Sequence, residues 1–276
     1  MSQDFVCGEE KGVVDTYDFP SPDCFLEAQY MAPLSQRIRQ EEKKKFCVLP
    51  LCQIVEAQML GGLIKYTADE QGPRVVERRY KKLKELPMTE EVPCPDGLCK
   101  EVAKGLADLK AQGEYTQLNV QGPLSILSSL VPMERIFVSR RKDRATYEEA
   151  LFWVVDKLFN YMESMGDDVD LYSLADPVAN INILGKEYAA EIATLAYRPL
   201  LEKLWAAKRK VHICPIMMGA IQSGGFTKRV DIEIDENLSY EDAILSVEGP
   251  CFVAHQCLKS ESTTWNHGVL HTIELI

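Results

Sequence analysis

The chain has 276 residues, nine of them cysteine, and a formal net charge of −11 at pH 7. That length can bury a large core and suits either one α/β barrel of about 250 residues or two small domains. An apolar share of 46% with 26% charged residues is globular, the acidity repels phosphate backbones, and no apolar run of roughly 18 residues offers a membrane span, so nucleic acid and membrane are excluded as partners.

The N-terminal stretch MSQDFVCGEEKG has neither the charged nor the apolar region of a secretory signal. Scattered cysteines in odd number then argue for reduced thiols and a cytoplasmic location.

Residues 1–45 read as an irregular arm, with Pro20 and Pro22, followed by a short charged helix over LSQRIRQEEKKK. The barrel-like domain is expected over 46–276. It opens with FCVLPLCQ, an apolar run bounded by charge that reads as a buried strand. Glu56 follows it, where a carboxylate would line the mouth of a barrel; a solvated helix position is the plainer alternative. Cys94 and Cys99 form the tightest loop pair but lack a second pair of ligands.

A repeating pattern of helix and strand comes next. GLCKEVAKGLADLKAQG reads as a helix stopped at Gly113, and YTQLNVQGP as a strand that delivers Asn119 and Gln121 to its C-terminal end. LSILSSLVPMERIFVS supplies an apolar helix and a loop. Thr146 and Glu149 make a capping box for a helix that runs to about Met165.

The segment 167–215 reads as strand, polar loop, long helix and strand. The first strand ends at Asp176-Pro177 and the second in His212-x-Cys214, two side chains on one face of a strand and half of a zinc site. Beyond it, PIMMGAIQSGG and SYEDAILSVEG read as helices, RVDIEID and PCFVAHQC as strands, and STTWNHGVLHTIELI as a terminal helix. His255, His267 and His271 have no neighbouring Glu or Cys that completes a metal motif. Alternating strands and helices call for a parallel sheet or barrel, but about six strands are visible where a (β/α)8 TIM barrel has eight, so the expected fold is TIM-barrel-like and shortened or incomplete. Exposed strand edges would then invite a second copy to form a homodimer.

The series CVLPLCQIVEAQMLGG, NVQGPLSIL, DLYSLADPVANINILGKEYAAEI and KVHIC resembles, in order and spacing, the uroporphyrinogen decarboxylase superfamily. It is most similar to the corrinoid-dependent methyltransferase branch, the methylcobamide:coenzyme M and methyl-substrate:corrinoid methyltransferases. The arginine-bearing segment of the decarboxylases is not found. The resemblance implies a zinc-dependent methyltransferase acting on a small thiol or methylated substrate. His212 and Cys214 would be zinc ligands, Cys257 the later Cys with Cys251 as its competitor, and Glu191, with Asp176, an alternative carboxylate set. Asp176 and Glu56 are then the catalytic candidates, and Asn119 and Gln121 the substrate-binding ones. No Asp-x-His-x-x-Gly cobalamin motif is present, so cobalamin would arrive on a partner corrinoid protein.

Overall fold

In the computed structural model, residues 17–65, 73–91, 96–258 and 268–276 are described. Helix α1 (Ala28–Glu41) leads into β1 (Phe46–Leu49), α2 (Val55–Met59) and a hairpin of β2 (Leu63–Lys65) and β3 (Arg74–Glu77). Then come α3 (Gly97–Ala111), β4 (Tyr115–Gln121), α4 (Pro123–Leu130), α5 (Met133–Lys142), α6 (Arg144–Ser164) and β5 (Leu171–Ala175). Helix α7 (Lys186–Ile192) runs through a π turn (Ala193–Tyr197) into α8 (Arg198–Ala206), followed by β6 (Lys210–Ile213) and α9 (Pro215–Ser223). The chain finishes with β7 (Thr227–Glu233), α10 (Tyr240–Ser246), β8 (Cys251–Val253) and β9 (Val269–Leu275). No helix among the described residues is long and apolar enough to cross a membrane.

Local sequence explains most of these boundaries. In α3, Leu98, Val102, Leu106 and Leu109 recur at helical spacing and are all buried, and Gly113 stops the helix with φ of 80°. The proposed capping box is not used. Helix α6 begins at Arg144 with Asp143 as its N-cap, which leaves Thr146 inside the first turn. The loop expected after the first apolar helix is itself helical, as α5. Where the expected terminal helix falls on described residues it is strand β9; Val269, Thr272 and Ile273 are β-branched and suit a strand.

The main sheet has seven strands in the order β1-β4-β5-β6-β8-β9-β7. The first five are mutually parallel, and β9 runs antiparallel to both β8 and β7. Among the described residues β1 and β7 do not pair, so the barrel is not closed. RVDIEID does form a strand, but its place is at the antiparallel edge rather than in a parallel unit.

Alternation along the strands separates two faces. Cys47, Leu49, Leu118, Val120, Tyr172, Leu174, Val211 and Ile213 face the helical layer and form the main core. Phe46, Leu171, Cys251, Val253 and Leu270 face the other way, the concave side, and pack with Tyr240, Ala243 and Ile244 of α10. Helix α10 is fixed at both ends by lysines next to strand starts. The Lys45 N–H donates to Glu241 at 2.7 Å and its Nζ lies 2.9 Å from Asp242. At the other end Lys210 Nζ donates to the carbonyls of Ile244 and Val247 at 2.9 and 2.8 Å. Helix α10 therefore plugs the N-terminal side of the curved sheet and leaves the polar C-terminal side as its mouth.

Candidate functional site

Strand register stacks the concave residues in layers. Asn119 is paired with Ser173, Ser173 with His212, His212 with Val253, and Val253 with Thr272, which makes a mostly polar layer above the apolar one that α10 covers. One step further toward the C-terminal ends, Gln121 is paired with Ala175. Cys214 lies just past β6, where its N–H donates to the Leu174 carbonyl at 2.9 Å. Asn119 accepts from Gln117 Nε2 at 2.8 Å.

Glu56 sits in the first turn of α2, brought to this rim because α2 follows β1 directly. Its side chain is 1% exposed, and Oε1 accepts the Gln121 backbone N–H at 2.8 Å. Burial pushes its carboxyl up to about 7, against the lowering effect of that N–H. At neutral pH it therefore exists as both acid and carboxylate, the condition for holding or releasing a proton. Gln121 Nε2 donates to the Gln53 carbonyl at 3.0 Å, while its Oε1 is buried and, among the described residues, has no hydrogen-bond partner.

His212 Nε2 lies 2.7 Å from the Gln256 carbonyl, which can only accept, so Nε2 carries the proton. Nδ1 then accepts from Ser173 Oγ at 3.3 Å. Burial drops the imidazole to about 4, which keeps it neutral at pH 7. The Gln256 bond also ties His212 to the turn that carries Cys257. Cys214 is buried and Cys257 half-buried.

Asp176 is fully buried, but its carboxylate faces the helical layer. It accepts from Leu124 N and Ser125 N, both at 2.9 Å, from Ser125 Oγ at 2.6 Å and from Tyr197 OH at 2.9 Å. The first two are first-turn amides of α4 with no intrahelical acceptor, so Asp176 caps that helix from 51 residues away. Burial raises its pKa and these four donors oppose the rise. Gly122 makes the approach feasible, since a Cβ there would lie 2.3 Å from the Asp176 Cβ. Glu191 stands apart from the other candidates. Arg140 and Arg144 each hold it at 2.7 Å within the helical layer.

The structure thus gathers Glu56, Asn119, Gln121, His212 and Cys214 at the C-terminal ends of the strands, with Cys257 in the turn after β8 beside Tyr240 of α10, Asp176 behind the rim and Glu191 away from it. Ser173, Gln117 and Gln256 also belong to the site and were missed. Ser173 was findable, since period two puts it on the face opposite Tyr172 and Leu174; the Gln256 contact depends on a carbonyl in a turn and has no sequence signal. Cys94 and His267 lie outside the described residues.

The donors near His212 are of the type zinc takes, but among the described residues no group of three or more His, Cys, Asp or Glu side chains is placed to hold a metal ion. As arranged, they do not fit zinc.

No family model matches the chain, and no curated protein matches it. Among solved structures, a methyltransferase from Methanosarcina mazei shares the fold with a TM-score of 0.65 at 19% sequence identity, over 79% of this chain and 67% of that one.

Proposed function

We propose that this chain transfers a methyl group between a small methylated compound or thiol and the cobalamin of a separate corrinoid protein, at the mouth lined by Glu56, Asn119, Gln121, Ser173 and His212. The observation that carries the reading is the fold shared with a methyltransferase over 79% of the chain, with the residues of the sequence resemblance at the strand ends where barrel folds hold their chemistry. A cytoplasmic setting and a partner that approaches the mouth belong to the same proposal.

The bound corrinoid supplies the atom that takes or gives the methyl group. Glu56 supplies the proton. When a methyl leaves an oxygen, the C–O bond breaks, the oxygen keeps the electron pair, and the proton held on Glu56 can pass to it. The raised carboxyl, at about 7, suits this transfer at neutral pH. Neutral His212, fixed by Gln256 and Ser173, orients the opposite wall, and Asn119 and Gln121 offer amide groups to the substrate.

The test is to incubate the purified chain with reduced free cobalamin and a panel of methyl ethers, methylated amines and thioethers, and to follow methylcobalamin by absorbance. Turnover that falls by roughly a hundredfold or more in Glu56→Gln is the expected result. Failure of methyl transfer in both directions, with free cobalamin and with thiol acceptors, would refute the assignment. The open sheet and the dispersed metal donors favour a second reading, a shortened non-catalytic relative that serves as a binding subunit. It predicts cobalamin or corrinoid-protein binding without turnover. A decarboxylase would call for an arginine-lined cleft, and no Lys or Arg among the described residues bonds to Glu56, Asn119, Gln121, Ser173 or His212.

A further inference from the structure

The last strand in the sheet order, β7, directs its backbone groups in a phase that the neighbouring bonds fix. Its register with β9 runs unbroken from Thr227 opposite Leu275 to Glu233 opposite Val269. Just beyond the two ends of that ladder, the Ile276 N–H donates to the Phe226 carbonyl at 2.9 Å and the Ile234 N–H to the Gly268 carbonyl at 3.1 Å. Even-numbered residues therefore turn their N–H and C=O groups toward β9. The Val230 carbonyl agrees, since it accepts from Thr272 Oγ1 at 2.9 Å. By alternation, the backbone groups of Thr227, Arg229, Asp231 and Glu233 point the other way, off the end of the sheet.

The side chains along this strand are exposed and charged. Lys228 is 56% exposed; Arg229 and Asp231, ion-paired along the strand at 2.7 Å, are 48% and 47% exposed. Charges on an edge strand commonly ward off a second strand. Here, however, their sign inverts about Val230. Antiparallel pairing of β7 with its own copy, on a two-fold axis at Val230, sets Arg229 of each chain opposite Asp231 of the other and Thr227 opposite Glu233. Centring the axis on Arg229 or on Asp231 would instead set like charges face to face, which is unfavourable.

We propose that two copies of this chain associate through β7, in an antiparallel pair centred on Val230 that continues one sheet into the other. In this register the outward groups of Arg229 and Asp231 meet as hydrogen-bonded pairs. Val230 meets its own counterpart as a non-hydrogen-bonded pair, with Cα atoms about 4.5 Å apart. The contact is isologous, so it closes at two copies. One strand pair buries little surface, and the dimer is accordingly weak and concentration-dependent. The proposal stands apart from the methyl-transfer reading.

Sedimentation equilibrium of the whole chain at low salt, where charge pairs are least screened, should show a monomer–dimer equilibrium at concentrations up to about 200 μM. Arg229→Asp and Asp231→Arg should each weaken it by about tenfold or more, because each sets like charges opposite one another. Mixed in equal amounts, the two variants should associate with each other, since every contact between positions 229 and 231 then joins opposite charges. A contact elsewhere on the surface would be indifferent to this exchange. A wild type that stays monomeric, single variants that dimerise as the wild type does, or a mixture that fails to associate overturns the proposal. If either variant does not fold, as judged by circular dichroism, mild oxidation of Val230→Cys by diamide decides. A disulfide between the two 230 positions, identified by peptide mass spectrometry, is expected, and its absence overturns the proposal.

Discussion

Glu56→Gln isolates the energetics of the buried acid from its chemistry. Burial raises the folded-state carboxyl from 4.5 to about 7. Below pH 4.5 folded and unfolded chains both hold the proton, so Glu56 has no pH-dependent cost there. Between 4.5 and about 7 the unfolded chain releases it while the folded chain keeps it, and stability falls as pH rises. Above that window the side chain is charged and buried, and at roughly 1.36 kcal/mol per pH unit the accumulated loss is about 3 kcal/mol. Gln keeps an oxygen for the Gln121 N–H and has no proton to lose. The variant should therefore exceed the wild type by about 3 kcal/mol at pH 8 but only about 1 kcal/mol at pH 5, measured by urea unfolding at both values. The corresponding gain in melting temperature at pH 8 is about 6 °C for a chain of this size. Because both proteins share every other titrating group, the difference cancels the rest of the acid–base profile. A stability difference that is the same at the two pH values would show that Glu56 does not hold a raised pKa, and the proton-donor role would fall with it.

Other substitutions probe the supports of the site. Gly122→Ala should destabilise the fold by roughly 2–4 kcal/mol, because its Cβ would meet the Asp176 carboxylate at 2.5 Å, and thermal melting reads the loss directly. Tyr197→Phe removes one of the four donors to that carboxylate and should cost about 1.5–3 kcal/mol by the same measurement. Lys210→Met uncaps the last turn of α10; chemical denaturation should show a loss of about 1–2 kcal/mol, whereas cobalamin-dependent turnover should persist in the variant that folds. Elemental analysis after reducing, chelator-free purification should find no stoichiometric zinc; about one zinc per chain, lost in His212→Ala, would show that Cys257 and Cys214 close on His212 in a way the present arrangement does not.

What the sequence made legible was set by how local the signals are. Buried strands such as Phe46–Leu49 and Lys210–Ile213, and helices such as Gly97–Ala111, carry their periodicity in a single short stretch. The arrival of Glu56 at the mouth was also readable, since only a short loop separates it from β1. Asp176 was found, but its direction was not. Whether a residue just past a strand turns toward the mouth or back under a helix depends on what waits there, in this case the bare amides of α4 and the Tyr197 hydroxyl at the end of the π turn, which donates to Asp176. Glu191 failed for a similar reason, because two arginines from other helices claim it. The terminal strand was hidden by its own apolar density, which a helix would also show.

The antiparallel end of the sheet explains how an open sheet can still present a finished mouth. Without closure, the inner face of β1 and β8 would meet water. Instead β9 and β7 extend the sheet from β8, and α10 lies across the inner apolar residues Phe46, Leu171, Cys251 and Leu270. Burying these against Tyr240, Ala243 and Ile244 does from inside what closure of the sheet would otherwise do. Lys45 and Lys210 then hold the plug to the first and fourth strands of the sheet order, so its position is set by the parallel strands themselves. The consequence is a division of labour along each strand: the N-terminal half is committed to α10, and the two C-terminal layers are left polar. An open sheet is thus compatible with an intact rim, because the residues that build the rim, Glu56, Gln121, Ser173 and His212, come from or directly follow β1, β4, β5 and β6, all in the run of parallel strands.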